Sequence, residues 1–313
     1  MKYIFFGTPE FAAIVLQRLI SAGYVPEAVI CNSDELVGRK QILTPPPTKV
    51  IAEKNEIRIF QPEKLRGNEE FLNRLKNLKP DLAIVAAYGK IIPKEILDIP
   101  PFGFLNIHGS LLPAYRGASP IQYAILNGDK ETGITIMEVD EKMDHGSILA
   151  SDKLPIANSD TYDSLSQKLA AMGAELLIKT IPDFISGKIK PVEQEHSEAT
   201  YTKIIKKEDG KINWSKGAGE IERMTRAFCP WPTAYTFVNL KSQISNLKII
   251  EAEISEKNSH QIGEVFLTHK KELAVKCGDG NLIIKKLQLE GGKILSAKEF
   301  LNGHRNFIET VLK

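Results

Sequence analysis

The sequence predicts a two-part α/β protein: an open, mostly parallel sheet with helices on both faces, followed by a small β-barrel. Three observations predict it. Up to about residue 187, short apolar runs alternate with amphipathic stretches, the rhythm of strands joined by crossover helices. A polar, aperiodic stretch then interrupts the pattern. Beyond it, five short strand-like segments are separated by Gly, Asn, Asp and Ser turns. The 313 residues allow two domains, and 42% hydrophobic with 26% charged residues is an ordinary globular composition.

The elements follow in order. Residues 2–6 form an apolar run ending at Gly7. Thr8 reads as an N-cap, Pro9 as the first helical position and Glu10 as a first-turn acid, opening a helix to about Ser21. Residues 25–31 read as a strand, 45–55 as a short helix, 58–60 as a short strand and 68–78 as a helix. The continuous apolar run 82–87 suits a central parallel strand covered on both faces. Residues 103–108, 133–139 and 148–156 read as further strands, with helices over 118–127 and 160–187. The resulting sheet is Rossmann-like. The division is residues 1–189 as a first domain, 190–206 as a linker and 207–313 as a C-terminal domain. That last part opens with a helix over 216–227, capped by Ser215, and continues with strands at 233–238, 247–254, 261–268, 272–277 and 281–289, an OB-like barrel. Trp214 and Trp231 read as core residues.

Several classes of function are excluded. Cys31, Cys229 and Cys277 are far apart, which argues against a disulfide framework and a zinc ribbon. The histidines show no ligand spacing, so no metal is expected. The N-terminal apolar run is too short for a signal-peptide core, and no stretch is apolar enough to span a bilayer, so a cytoplasmic protein is expected. Gly7-Thr8-Pro9-Glu10 lacks the G-x-G-x-x-G run that brings backbone against a pyrophosphate, so a nicotinamide cofactor is not expected. Charge is uneven: from residue 200 onward 19 Lys and Arg face 13 Asp and Glu, against 22 and 26 before it. A basic second half suits contact with a polyanion.

The chemistry gathers around Asn106-Ile107-His108. Residues two apart on a strand share a face, so Asn106 and His108 point the same way where the strand meets Gly109. Ligands of open α/β sheets bind beyond these carboxyl ends. An amide can bind a developing oxyanion, and an imidazole can move a proton. Asp144, in the loop after strand 133–139, is the carboxylate placed to orient His108. Ser110, two residues from His108, is a candidate hydroxyl nucleophile, but Gly109-Ser110-Leu111-Leu112 lacks the G-x-S-x-G elbow. The nucleophile is therefore expected to come with the substrate. His145, next to Asp144, reads as a solvent-facing loop histidine.

Asn106-x-His108, the run from Ser110-Leu111-Leu112-Pro113 to Tyr115-Arg116-Gly117, and Met143-Asp144-x-Gly146-x-Ile148-Leu149 together resemble the folate-dependent formyltransferases. Within that family, Val37-Gly38-Arg39-Lys40 leading into Leu43-Thr44-Pro45 resembles a basic loop of the members acting on methionyl-tRNA. Asp209-Gly210-x-Ile212-x-Trp214 and Arg226-Ala227-Phe228-x-Pro230-Trp231-Pro232 are similar to the opening of their C-terminal domain. The resemblance implies 10-formyltetrahydrofolate as formyl donor and the α-amino group of initiator methionyl-tRNA as acceptor. It implies catalytic roles for Asn106, His108 and Asp144. It places Ser110, Leu111, Leu112, Pro113, Tyr88 and Gly89 at the folate, and Arg39 and Lys40 at the tRNA acceptor end. It implies neither a metal nor an obligate protein partner. Sugar-nucleotide and other small-amine formyltransferases share the first domain and are the alternative. A non-catalytic RNA-binding protein is the remaining one.

Overall fold

The structure, a computed structural model, describes residues 1–38, 41–240, 243–256 and 259–312. It divides into two compact units. One comprises residues 1–120, 131–155 and 166–203; the other comprises 121–130, 156–165 and 204–313.

The first unit is built on a seven-stranded mixed sheet. Tyr3–Gly7 lies in its interior, paired in parallel with Ala28–Ile30 on one side and with the central strand Leu82–Ala86 on the other. Arg58–Phe60 extends the first side and Phe104–His108 the second, both in parallel. The antiparallel strands Glu131–Glu138 and Ile148–Pro155 then complete the edge beyond Phe104–His108. Tyr3–Gly7 and Leu82–Ala86 are buried at every residue, as expected of central strands with both faces covered. On one face Ile4, Phe6 and Phe104 pack with Phe71 and Leu75 of the helix Glu69–Leu78. On the other, the helix Tyr162–Ile185 approaches so closely at Gly173 that an added Cβ would meet Ile107 Cγ2 at 2.6 Å. The strand that carries Asn106 and His108 is thus fixed from both sides.

Several expectations need correction. The first helix is Glu10–Ser21 and its N-cap is Pro9, with no side-chain cap. The Thr8 hydroxyl instead accepts from the Asn32 N–H at 3.2 Å, tying two strand ends together. A short ribbon that periodicity did not suggest, Glu35–Val37 paired with Ile42–Thr44, projects Leu36, Val37, Ile42 and Leu43 into solvent. Arg39 and Lys40 lie outside the described residues. Of the stretch 190–206, read as a linker, residues 190–203 belong to the first unit: Val192 bridges to Ile148, and Tyr201–Thr202 pairs in parallel with Arg116–Gly117.

The second unit is a six-stranded antiparallel sheet. Its path runs Ala234–Leu240, Gln243–Ser255, Asn281–Leu289, Leu273–Lys276, Val265–Leu267, with Ile294–Ser296 paired to Asn281–Leu289. Among the described residues the two ends of the path do not pair, so the ladder is not closed. The helix Ala218–Ala227 is capped at Gly217 without a side-chain bond, not by Ser215. It covers the sheet together with the helix Ala297–Gly303, which begins in a capping box of Ser296 and Glu299. Trp214 is core, its Nε1–H donating to Thr236 Oγ1 at 3.1 Å. Trp231 is not: it is 57% exposed. The Thr233 N–H closes back onto the Phe228 carbonyl at 2.8 Å, which leaves Trp231 at the tip of the turn.

Candidate active site

Asn106 and His108 share the face of Phe104, and both reach Asp144. Asp144 Oδ1 lies 3.5 Å from Asn106 Nδ2 and 3.5 Å from His108 Nδ1, the outer limit of hydrogen-bond distance. The closer hold on His108 comes from elsewhere. Its Nε2 is 3.0 Å from the Tyr115 carbonyl, which can only accept, so Nε2 carries the hydrogen and Nδ1 faces the carboxylate. His108 is only 5% exposed, whereas Asn106 and Asp144 are half-buried. An imidazole held at one nitrogen with its other nitrogen beside a carboxylate is arranged for proton transfer.

Asp144 adopts a left-handed backbone with φ +50°, a conformation that costs a non-glycine residue about 1–2 kcal/mol. Its surroundings hold it there. Oδ2 accepts from the Gly117 N–H at 2.7 Å. Gly117 itself needs to be glycine: φ is +111°, and a Cβ would fall 2.5 Å from the Thr202 carbonyl. From below, Gln194 Nε2 donates to the carbonyls of Asp144 and Gly146 at 3.0 and 2.7 Å.

The loop between His108 and Arg116 is equally tied. The Ser110 hydroxyl donates to the Ala114 carbonyl at 2.6 Å and is fully buried. Its hydrogen is thus spent within the turn rather than on a general base. Thr135 Oγ1 donates to the Ser110 carbonyl at 2.7 Å and accepts from the Leu112 N–H at 3.1 Å. Leu112 is buried, while Leu111 and Pro113 are half-buried. Tyr88 is buried in the core against Phe6, ring centroids 5.2 Å apart, and burial pushes its phenol above the ordinary tyrosine range. Its ring is therefore packed away, and only its backbone and that of exposed Gly89 can face a ligand.

Sequence reasoning missed four participants. Tyr115 acts through a backbone carbonyl, Gly117 through a backbone N–H, and Gln194 and Arg116 through buried side chains. The identity of Gly117 within a Tyr-Arg-Gly run was the one available signal. Glu138, at the end of the neighbouring strand, has its carboxyl raised by burial, an effect opposed by its bond with Ser147. His145 does not simply face solvent. It bonds Asp140 Oδ2 through Nδ1 at 2.7 Å and stacks on His196 with centroids 4.1 Å apart.

An amide, an imidazole and a carboxylate gathered at an open sheet's carboxyl edge suit acyl or formyl transfer. Comparison with known proteins refines it. The formyl transferase family model matches residues 1–181, and the formyl transferase C-terminal domain model matches residues 204–305. The methionyl-tRNA formyltransferase of Caldanaerobacter subterraneus subsp. tengcongensis is 43% identical over 313 residues, 100% of both chains. That of Thermodesulfovibrio yellowstonii is 45% identical over 302 residues, 96% of both. The chain belongs to the formyl transferase family, in its methionyl-tRNA formyltransferase branch. Two solved structures share the fold at lower identity. An N-formyltransferase from Helicobacter canadensis, in complex with folinic acid and dTDP-3-aminofucose, has a TM-score of 0.65 at 21% identity, covering 91% of this chain and 98% of that one. HypX from Aquifex aeolicus, in complex with tetrahydrofolic acid, has a TM-score of 0.64 at 18% identity, covering 99% and 48%.

Proposed function

We propose that the chain transfers the formyl group of 10-formyltetrahydrofolate to the α-amino group of methionine on initiator methionyl-tRNA. The observation that carries the chemistry is the meeting of Asn106, His108 and Asp144 at one strand end, beside a serine whose hydroxyl is already engaged. The donor supplies an electrophilic formyl carbon, and attack by the amine places negative charge on the formyl oxygen. Asn106 Nδ2 donates to that oxygen; one well-placed donor of this kind is worth about 3–4 kcal/mol. His108, held at Nε2 by Tyr115, handles the amine proton at Nδ1. Once Nδ1 has taken a proton from the attacking amine, Asp144 Oδ1 accepts from it and stabilises the imidazolium, and the same proton is then returned to the leaving nitrogen. The backbone of Ser110, Leu111, Leu112 and Pro113, with that of Tyr88 and Gly89, lines the folate side.

The acceptor rests on the relatives and on charge. The full-length curated relatives are methionyl-tRNA formyltransferases. Residues 207–313 lie in the basic half and are read as the tRNA-binding domain, with residues 1–189 as the catalytic domain. Arg39 and Lys40 extend that reading to the acceptor end. We place the protein in the cytoplasm, where charged initiator tRNA meets the ribosome.

The test is transfer of labelled formyl from 10-formyltetrahydrofolate to charged initiator tRNA, run beside an amino-sugar nucleotide. Label in the tRNA-bound methionine supports the reading. Label only in the sugar nucleotide overturns the acceptor, and transfer to neither amine overturns the enzyme.

A further inference from the structure

Gln194 lies between the residues matched by the two family models, in a stretch whose polarity reads as linker. Its side chain is nevertheless buried, with 4% of the residue exposed. Its Oε1 accepts from Arg116 Nε at 3.1 Å and Nη2 at 2.7 Å. Its Nε2 donates to the carbonyls of Asp144 and Gly146. Both lone pairs and both hydrogens of the amide are thus in use.

The orientation of this amide is forced. A guanidinium offers only donors, so the oxygen must face Arg116 and the NH2 group must face the two carbonyls. Arg116 is itself 1% exposed, with further bonds to His196 Nδ1 at 2.8 Å and Tyr201 Oη at 3.5 Å. It cannot swing away to another partner without leaving a buried charge. Gly146 is pressed equally hard from the other side, where a Cβ would lie 2.1 Å from the Glu138 carbonyl. The turn 144–146 is therefore clamped between a strand end and one oriented amide.

We infer that Gln194 is a positioning residue for formyl transfer: its amide, aimed by Arg116, fixes the 144–146 turn and so the direction of the Asp144 carboxylate. This rests on the reading of Asp144 as part of the transfer machinery. Gln194 touches no reacting atom. It holds the backbone of Asp144, while Gly117 holds its Oδ2, and together these leave Oδ1 pointing at Asn106 and His108.

The test is Gln194→Glu, which still accepts from Arg116 but cannot donate to the two carbonyls. Its kcat should fall about 10- to 100-fold, the effect of a misplacement of an ångström or less. The KM values for methionyl-tRNA and for the formyl donor should stay within about twofold. In an Asp144→Asn background the same substitution should have no further effect, because a residue acting through Asp144 is not additive with its loss. A folded Gln194→Glu protein with unchanged kcat overturns the inference, as does an effect that is undiminished in the Asp144→Asn background. Should Gln194→Glu fail to fold, Gln194→Asn keeps the amide but shortens its reach and must show the same split between kcat and KM. Normal turnover in Asp144→Asn alone would instead remove the underlying reading of the site.

Discussion

The loops around Asp144 and the interior of the C-terminal unit are held by opposite means. At Asp144 the buried groups are polar, and each has a partner far away in sequence: Arg116 with Gln194, Gln194 with Asp144 and Gly146, Thr135 with Leu112. In the C-terminal unit the interior is apolar, with Leu247, Ile249, Val275, Leu282, Leu287, Phe300 and Phe307 all nearly or fully buried. The first region relies on directional bonds, each worth only about 0.5–1.5 kcal/mol net. The second relies on burial, which is larger per residue and indifferent to direction. The difference teaches that substitutions in the first should change chemistry before stability, and substitutions in the second stability before chemistry.

The largest effect is expected at the groups proposed to carry the chemistry. His108→Ala and Asp144→Ala should each lower kcat by about 10²- to 10⁴-fold, while thermal unfolding stays near that of the parent. A matching collapse of stability would break the comparison on the first side. Leu287→Ala tests the other side. It should cost about 2–5 kcal/mol in denaturant unfolding, and the surviving folded fraction should retain its kcat at saturating substrates. Gly117→Ala falls between the two, because its Cβ would strike the Thr202 carbonyl and its N–H holds Asp144. Both stability, by about 1–3 kcal/mol, and kcat should drop; a loss in only one would show which of these two contacts matters.

The smallest effect is expected at Glu138. Burial raises its carboxyl, so the folded state favours the neutral form. The corresponding stability is fully present below the unfolded glutamate value of about 4.3 and is lost as pH rises through the folded value. Glu138→Gln should therefore be slightly more stable than the parent near neutral pH, with the gain vanishing in acid. Unfolding curves at both pH values decide it, and a gain that grows toward acid would contradict the assignment.

Much of the fold was legible because it depends on periodicity. Arg58–Phe60 appears at the residues its apolar pattern marks, and the strand ending at His108 and the helix Tyr162–Ile185 lie within a residue or two of expectation. The meeting of Asn106 with His108 was legible for a similar reason, since two-residue spacing sets a common face, whereas Asp144 was marked by its place in the loop after the neighbouring strand. What was illegible depends on backbone atoms or on long-range pairing. No pattern in Tyr115 says that its carbonyl holds His108, and polar composition hid Gln194 and the strand at Tyr201–Thr202. Thr8 and Ser215 fit the composition of helix caps but not the geometry, which the chain satisfies at Pro9 and Gly217. Trp214 and Trp231 look alike in sequence and differ in burial because only the first points into the sheet.

If Asn106, His108 and Asp144 pass the formyl group straight to an amine, no covalent intermediate forms on the protein. Single-turnover reaction with labelled 10-formyltetrahydrofolate and charged initiator tRNA, quenched in denaturant at successive times, tests it most directly. Label is expected to move from donor to the methionine of the tRNA, with none on the denatured protein at any time. Label that accumulates on the protein and then decays into tRNA would contradict it.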